Sequence, residues 1–249
     1  MPQITLITIT YNSAETIAST LDSVAGQSFR DFEYILVDGA SSDNTVQIVR
    51  DHQVTVDKLI SERDNGLYDA LNKGISFATG DYLGFLHSDD VFANQKVLEK
   101  LSEKIVGGVG ACYGDIEYVS SENPDRVIRH WRSGEISRNK LRNGWMPPHP
   151  TFYMRRDFYA ELGVYDASLQ ISADYDAMLR YLYTNNVSAA YLPEVMVKMK
   201  VGGASNRSLT ALAKKMREDV ITMKNHGLFW PRALIVKNIS KLPQFFARS

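Results

Sequence analysis

From Gln3 to His87, apolar runs rich in β-branched residues alternate with amphipathic helical patterns, and this alternation restricts the chain to few folds. Residues 3–10 read as a strand, 13–25 as a helix stopped by Gly26, and 32–38 as a second strand. Asp43 then caps a helix over 44–52, followed by a strand at 54–60, a helix at 66–78 and a strand at 81–87. Repeated strand–helix–strand units imply an α/β chain with a mostly parallel, Rossmann-like sheet covered by helices on both faces.

The pattern changes after Gly107-Gly108. Strand-like runs at 109–119 and 126–131, separated by turn-forming residues, predict a small antiparallel addition to the sheet. The stretch 144–150 contains Pro147, Pro148 and Pro150, so it reads as an extended loop. Helices follow at 156–162 and 174–185, and Gly202-Gly203 reads as a hinge. Residues 1–206 are thus expected to form one catalytic domain, with a first half over 1–106 and a second over 107–206. Residues 207–249 form a basic helical tail.

With no run of 18 apolar residues and no secretory leader pattern, neither a transmembrane helix nor a cleaved signal is expected, and Met1 is read as the start of the mature chain. The single cysteine, Cys112, reads as a small buried residue of a reducing compartment, hence the cytoplasm. A net charge of −1 hides an asymmetry: residues 207–249 carry nine Lys or Arg against two acidic residues, leaving nineteen against twenty-seven for 1–206. In the tail Leu228, Phe229, Trp230, Leu234, Ile235, Val236, Ile239, Leu242, Phe245 and Phe246 interleave with Arg232, Lys237, Lys241 and Arg248. Apolar, aromatic and basic residues together fit an anionic membrane surface rather than nucleic acid. They equally fit an amphipathic helix packed on the main domain.

Polar clusters follow each of the four predicted strands: Thr10-Tyr11-Asn12, Asp38-Gly39 leading to Asp43, Glu62-Arg63-Asp64-Asn65-Gly66, and Ser88-Asp89-Asp90. In an open α/β sheet all four line one edge, where ligands bind. Adjacent carboxylates there suit a hard divalent cation that grips phosphate. The Tyr11 ring is suited to stack on a base, and Asp38 to accept hydrogen bonds from a base or ribose.

These residues resemble the family 2 glycosyltransferases, which have the GT-A fold of nucleotide-sugar-dependent enzymes. Thr10-Tyr11-Asn12, Val37-Asp38-Gly39 with Ser42-Asp43-Asn44-Thr45, Asn65-Gly66 with Asn72-Lys73-Gly74, and Gly80-Asp81 leading through Phe85-Leu86 to Ser88-Asp89-Asp90 match that family in order and spacing. His149 to Tyr153, Gly163 to Asp166 and Asp174-Tyr175-Asp176 with Leu179-Arg180 resemble its acceptor-side half more loosely. The resemblance implies that Thr10, Tyr11, Asn12, Asp38, Asp64 and Asp89 bind the nucleotide sugar, and that Asp90 with Asp89 holds manganese or magnesium. Asp64 also reads as a loop carboxylate paired with Arg63. Ser88 stands where many relatives have a third acidic residue.

By the same resemblance Asp174 is the catalytic carboxylate, with Ala173 where relatives commonly have Glu, and His149 belongs to the active site. Asp176 reads as a structural partner of Arg180, four residues on. The stretch 202–206 resembles a loop that closes over the donor. The Gln-x-x-Arg-Trp motif of processive synthases is absent from the sequence. The activity implied is inverting transfer of a single sugar, with a UDP-sugar as the expected donor, to a glycan or lipid-linked acceptor in cell-surface polysaccharide synthesis at the inner face of the cytoplasmic membrane. A sugar nucleotidyltransferase would need a glycine-rich basic loop after the first strand, and residues 11–15 contain neither Gly nor Lys nor Arg. A silent nucleotide-sugar-binding module is the remaining alternative.

Overall fold

The computed structural model describes residues 2–123, 125–201 and 209–239. The first half follows the expected alternation: β1 (Ile4–Thr10), α1 (Ile17–Ala25), β2 (Phe32–Asp38), α2 (Thr45–Asp51), β3 (Lys58–Ser61), α3 (Leu67–Phe77) and β4 (Tyr82–Phe85). The second half adds β5 (Asp90–Phe92), α4 (Val97–Ile105), β6 (Ala111–Val119), β7 (Val127–Trp131), α5 (Arg138–Arg142), β8 (Tyr153–Arg155), α6 (Arg156–Leu162), α7 (Ala173–Met178), β9 (Ala189–Lys200), α8 (Leu209–Asn225) and α9 (Trp230–Ile239). These strands form one sheet in the order β3-β2-β1-β4-β8-β6-β9-β5, with β7 on β6. β3, β2, β1 and β4 are mutually parallel. β8 runs antiparallel to β4 and β6, β7 antiparallel to β6, and β5 antiparallel to β9, whereas β6 and β9 are parallel.

Every residue of β1 is buried, as a central parallel strand requires. Its side chains divide by the strand's period of two: Ile4 and Leu6 join α1, α2 and α4 on one face, Ile7 and Ile9 join α3 on the other. Gly74 of α3 lies so close to β1 that an added Cβ would sit 2.5 Å from Ile7 Cγ2. The helix can approach the sheet there only because glycine has no side chain.

Several elements differ from the sequence reading, and α1 begins at Ile17 rather than residue 13. β3 begins at Lys58 rather than residue 54, because Asp57 is held in a turn: its carboxylate accepts from Tyr34 N–H (2.7 Å) and its own N–H donates to Tyr34 O (2.9 Å). The helix expected over 174–185 is α7 followed by a π-helical turn, Leu179–Thr184, and the loop at 144–150 runs into a 3₁₀ turn, His149–Thr151. The strands β5, β8 and β9 carry no local signal that the sequence reading used.

The tail helices α8 and α9 pack on the body through Met223, Leu228 and Ala233, which meet Tyr175 and Leu179. Lys237, read among the interfacial basic residues, is buried instead beside Asp219, 2.9 Å away. Phe229, Trp230, Ile235, Val236 and Ile239 stay exposed. The proposed closing loop at 202–206, and Lys241, Leu242, Phe245, Phe246 and Arg248, lie outside the described residues. Among the described residues no helix is long and apolar enough to cross a membrane.

Candidate active site

The register of the parallel strands brings the first clusters together, since Thr10 lies opposite Asp38 and Asp38 opposite Ser61. Asp38 is fully buried; its carboxylate accepts from Ser61 Oγ (2.7 Å), Ser41 N–H (3.0 Å) and Ser41 Oγ. Thr10 Oγ1 is buried beside it without a partner. Asn12, in the left-handed region at φ 48°, ties the two loops: its N–H donates to Ser41 Oγ and its Oδ1 accepts from Ser42 N–H, both at 2.8 Å. The Asn12 side chain therefore shapes the pocket wall.

Tyr11 stands 64% exposed at the rim. Asp64 reaches the same place. A Cβ at Gly39 would lie 2.5 Å from Asp64 Oδ2 and 3.3 Å from Tyr11 Cδ2, while Asp64 Oδ1 accepts from Gly66 N–H at 2.9 Å. Tyr11, Gly39 and Asp64 thus lie together beyond the strand ends, with the exposed Tyr11 ring and the Asp64 carboxylate both against Gly39.

After β4 the chain turns, with Asp90 N–H donating to His87 O (3.0 Å), and Asp90 opens β5 opposite Met199. Ser88 Oγ bonds Ser13 Oγ at 2.8 Å, fastening this turn to the β1 loop. Asp90 is 1% exposed and its Oδ2 has no hydrogen-bond partner. Burial, followed by the neighbouring Asp89, pushes its pKa well above the carboxylate range, and Lys200 on β9 pulls the other way. A buried, unpartnered carboxylate oxygen next to a second carboxylate fits a hard cation. Among the described residues no third His, Cys, Asp or Glu joins them, so such a cation would take its remaining ligands from substrate oxygens and water.

His149 lies next to this turn. Its ring stacks on Phe85 (centroids 5.2 Å apart) and on His87 (5.8 Å), and its Nε2 bonds the Tyr165 hydroxyl at 2.8 Å. Burial lowers its pKa to about 3, with His87 adding to the effect, so the imidazole is neutral. Tyr165 packs on Tyr68 of α3 (5.9 Å), and Asn72 grips its backbone on both sides: Asn72 Nδ2 donates to Tyr165 O (2.8 Å) and Tyr165 N–H donates to Asn72 Oδ1 (3.0 Å).

Tyr68 links this aromatic block to Asp174. Its hydroxyl donates to Ile171 O at 2.7 Å and lies 3.3 Å from Asp174 Oδ1, which also accepts from Tyr175 N–H at 2.8 Å. Burial raises the Asp174 pKa above the usual carboxylate value; Lys237 opposes that most, then Tyr175 N–H and Lys215, while Asp219 adds to it. Asp176 faces away, 3.5 Å from Arg180 and 3.0 Å from His226. The Tyr118 phenol of β6 is pushed up first by burial, with Arg129 opposing, and the charges of Asp90 and Asp174 both add to the rise. Both carboxylates therefore act on one ring.

Tyr165 falls within the Gly163 to Asp166 segment, whereas Tyr68, Tyr118 and Asp219 were not among the residues read from the sequence. Their partners are distant along the chain, 106 residues for Tyr68 and Asp174, so no local spacing marks them. Asn72, by contrast, sits in the Asn72-Lys73-Gly74 motif already noted.

Comparison with known proteins gives the family and the fold. The sequence pattern described as Glycosyl transferase family 2 matches residues 5–163. A PGL/p-HBAD biosynthesis glycosyltransferase of Mycobacterium bovis is 30% identical over 213 residues, covering 82% of this chain and 80% of that protein. The UDP-Glc:alpha-D-GlcNAc-diphosphoundecaprenol beta-1,3-glucosyltransferase WfgD of Escherichia coli is 25% identical over 219 residues, covering 88% and 85%. The crystal structure of S. aureus TarS 1–349 in complex with UDP-GlcNAc superposes with a TM-score of 0.70 at 18% identity, over 94% of this chain and 70% of that one. The fold and these matches together make the chain a glycosyltransferase of GT-A fold that belongs to glycosyl transferase family 2.

Proposed function

We propose that the protein transfers a single sugar, with inversion, from a UDP-sugar to a glycan or lipid-linked acceptor. The observation that supports this reading is the run of contacts from the Asp90 turn to Asp174, in which the His87 ring stacks on His149, His149 bonds Tyr165, Tyr165 packs on Tyr68 and the Tyr68 hydroxyl lies 3.3 Å from Asp174. Tyr11 and Asp64 flank the nucleotide, with Asp38 and Thr10 at its floor. Asp174 accepts the acceptor hydroxyl proton as that oxygen attacks the anomeric carbon and the bond to the diphosphate breaks on the opposite face. One base and one displacement invert the configuration. A divalent cation, manganese or magnesium, bound by Asp90 and Asp89 would offset the negative charge that grows on the leaving diphosphate. His149, neutral and locked to Tyr165, orients the floor of the cleft rather than moving a proton.

The E. coli relative acts on a diphosphoundecaprenol-linked sugar by its name, and the TarS complex holds UDP-GlcNAc, which supports a UDP-sugar donor and a lipid-linked acceptor here. Exposed Phe229, Trp230, Ile235 and Ile239 beside Arg232 and Lys224 support peripheral attachment to an anionic membrane on its cytoplasmic side.

Calorimetric titration with the diphosphates of uridine, guanosine, thymidine and cytidine, with and without manganese, tests the donor class. Manganese-dependent binding of UDP is expected; absence of binding to all four overturns the reading. Asp174→Asn is expected to lower turnover by roughly 10²–10⁴-fold while UDP binding persists. Retained turnover would remove Asp174 as the base.

A further inference from the structure

We propose that the α8–α9 hairpin completes the catalytic centre, with Glu218, Asp219 and Lys237 as positioning residues that clasp the turn carrying Asp174. The inference rests on Asp174 being the base. Glu218 Oε1 accepts from Gln170 N–H (3.2 Å) and its Oε2 from Ile171 N–H (2.9 Å) and Ser172 N–H (3.0 Å). Those three amides belong to the turn immediately before α7, whose N-cap is Ser172, so one carboxylate holds the backbone of the approach to Asp174. Asp219 Oδ1 accepts from Ser172 Oγ at 2.9 Å and pairs with Lys237 at 2.9 Å. Lys237 Nζ in turn lies 3.2 Å from the centre of the Tyr175 ring, one residue from Asp174.

All three clasp residues are buried. Charges taken out of water cost free energy that an apolar contact does not, and Met223, Leu228 and Ala233 already supply apolar docking. The ionic groups are placed on the backbone and side chains that bracket Asp174, so they fix its turn rather than merely the helices. The groups facing Asp174 are Tyr68 of α3, Tyr118 of β6, Lys215 and Asp219 of α8, and Lys237 of α9. Among these Lys237 is the strongest influence favouring the ionised carboxylate, so its removal leaves Asp174 harder to deprotonate.

The test reads position and titration without turnover. In full-length protein labelled at aspartate carboxyl carbons, with the Asp174 signal identified by its loss in Asp174→Asn, Lys237→Met should raise the Asp174 midpoint by about half a pH unit or more. Lys237→Arg should restore it. In Glu218→Gln, an isosteric change that still accepts but loses the charge and one acceptor oxygen, amide hydrogen exchange at 170–172 should quicken about tenfold. An unmoved midpoint in Lys237→Met or unchanged exchange in Glu218→Gln overturns the clasp. Persistence of UDP release from UDP-glucose in Asp174→Asn would overturn only the base assignment, because neither readout of the clasp uses turnover.

Discussion

His149 shows how packing decides what a histidine can do. Its ring lies between Phe85 and His87 with Nε2 bound to Tyr165, and its pKa falls to about 3. The unfolded chain takes up that proton near the ordinary value of about 6.5, so between those values the unfolded state binds more protons and stability falls as pH falls. The loss per pH unit from one such group is at most about 1.4 kcal/mol. Urea denaturation at about pH 7 and about pH 5 should show this drop, shrunken in His149→Gln; an equal drop in both would assign the effect elsewhere. At this scale the sequence picks out Asp38 and Asp90 by their place after predicted strands and Asp174 only by resemblance to the family, and the structure shows Asp38 and Asp90 as buried carboxylates by the strand ends and Asp174 as a part-buried one in α7. Tyr68 stands out only in the structure, since an aromatic residue in a helix looks like ordinary core until the fold sets it beside a carboxylate.

Among the elements, β1 and β2 match their sequence reading closely because long buried strands declare themselves by continuous β-branched runs. The three-residue strands β5 and β8 are too short to show a period, and β9 is broken by Pro193 and a register shift against β6. The close fit of α3 on β1 yields a prediction in which two effects oppose. Gly74→Ala gains up to about 1 kcal/mol of helix propensity but forces a methyl into Ile7, a stiff β-branched side chain, at about 1–3 kcal/mol. The clash should prevail, lowering the melting temperature by about 2–4 °C in a chain of this size. A rise would mean that the helix shifts freely on the sheet.

For the whole molecule, charge and apolar surface are unevenly shared: residues 207–249 carry nine basic residues and two acidic ones, against an acidic body. The tail reading left two alternatives, and the hairpin combines features of both, with one side docked through Leu228, Ala233 and Lys237 and another exposing Phe229, Ile235 and Ile239. Deleting the whole tail would therefore disturb the fold as well as any membrane contact. Replacing Phe229, Ile235 and Ile239 together by Ser is the cleaner experiment. Sedimentation with phosphatidylglycerol vesicles should fall sharply in that variant and, for the unmodified protein, with rising salt, since screening shortens to about 3 Å at 1 M. Sedimentation unchanged by the triple substitution would rule out this face. The order of synthesis gives the hairpin another significance. Residues 170–172 are made before Glu218, which accepts from their amides, so a nascent chain not yet extended past Glu218 carries the strand-end residues of the first half but not the brace behind Asp174. Such a fragment is expected to bind a donor yet transfer its sugar poorly, so the hairpin marks a place where truncation separates binding from turnover.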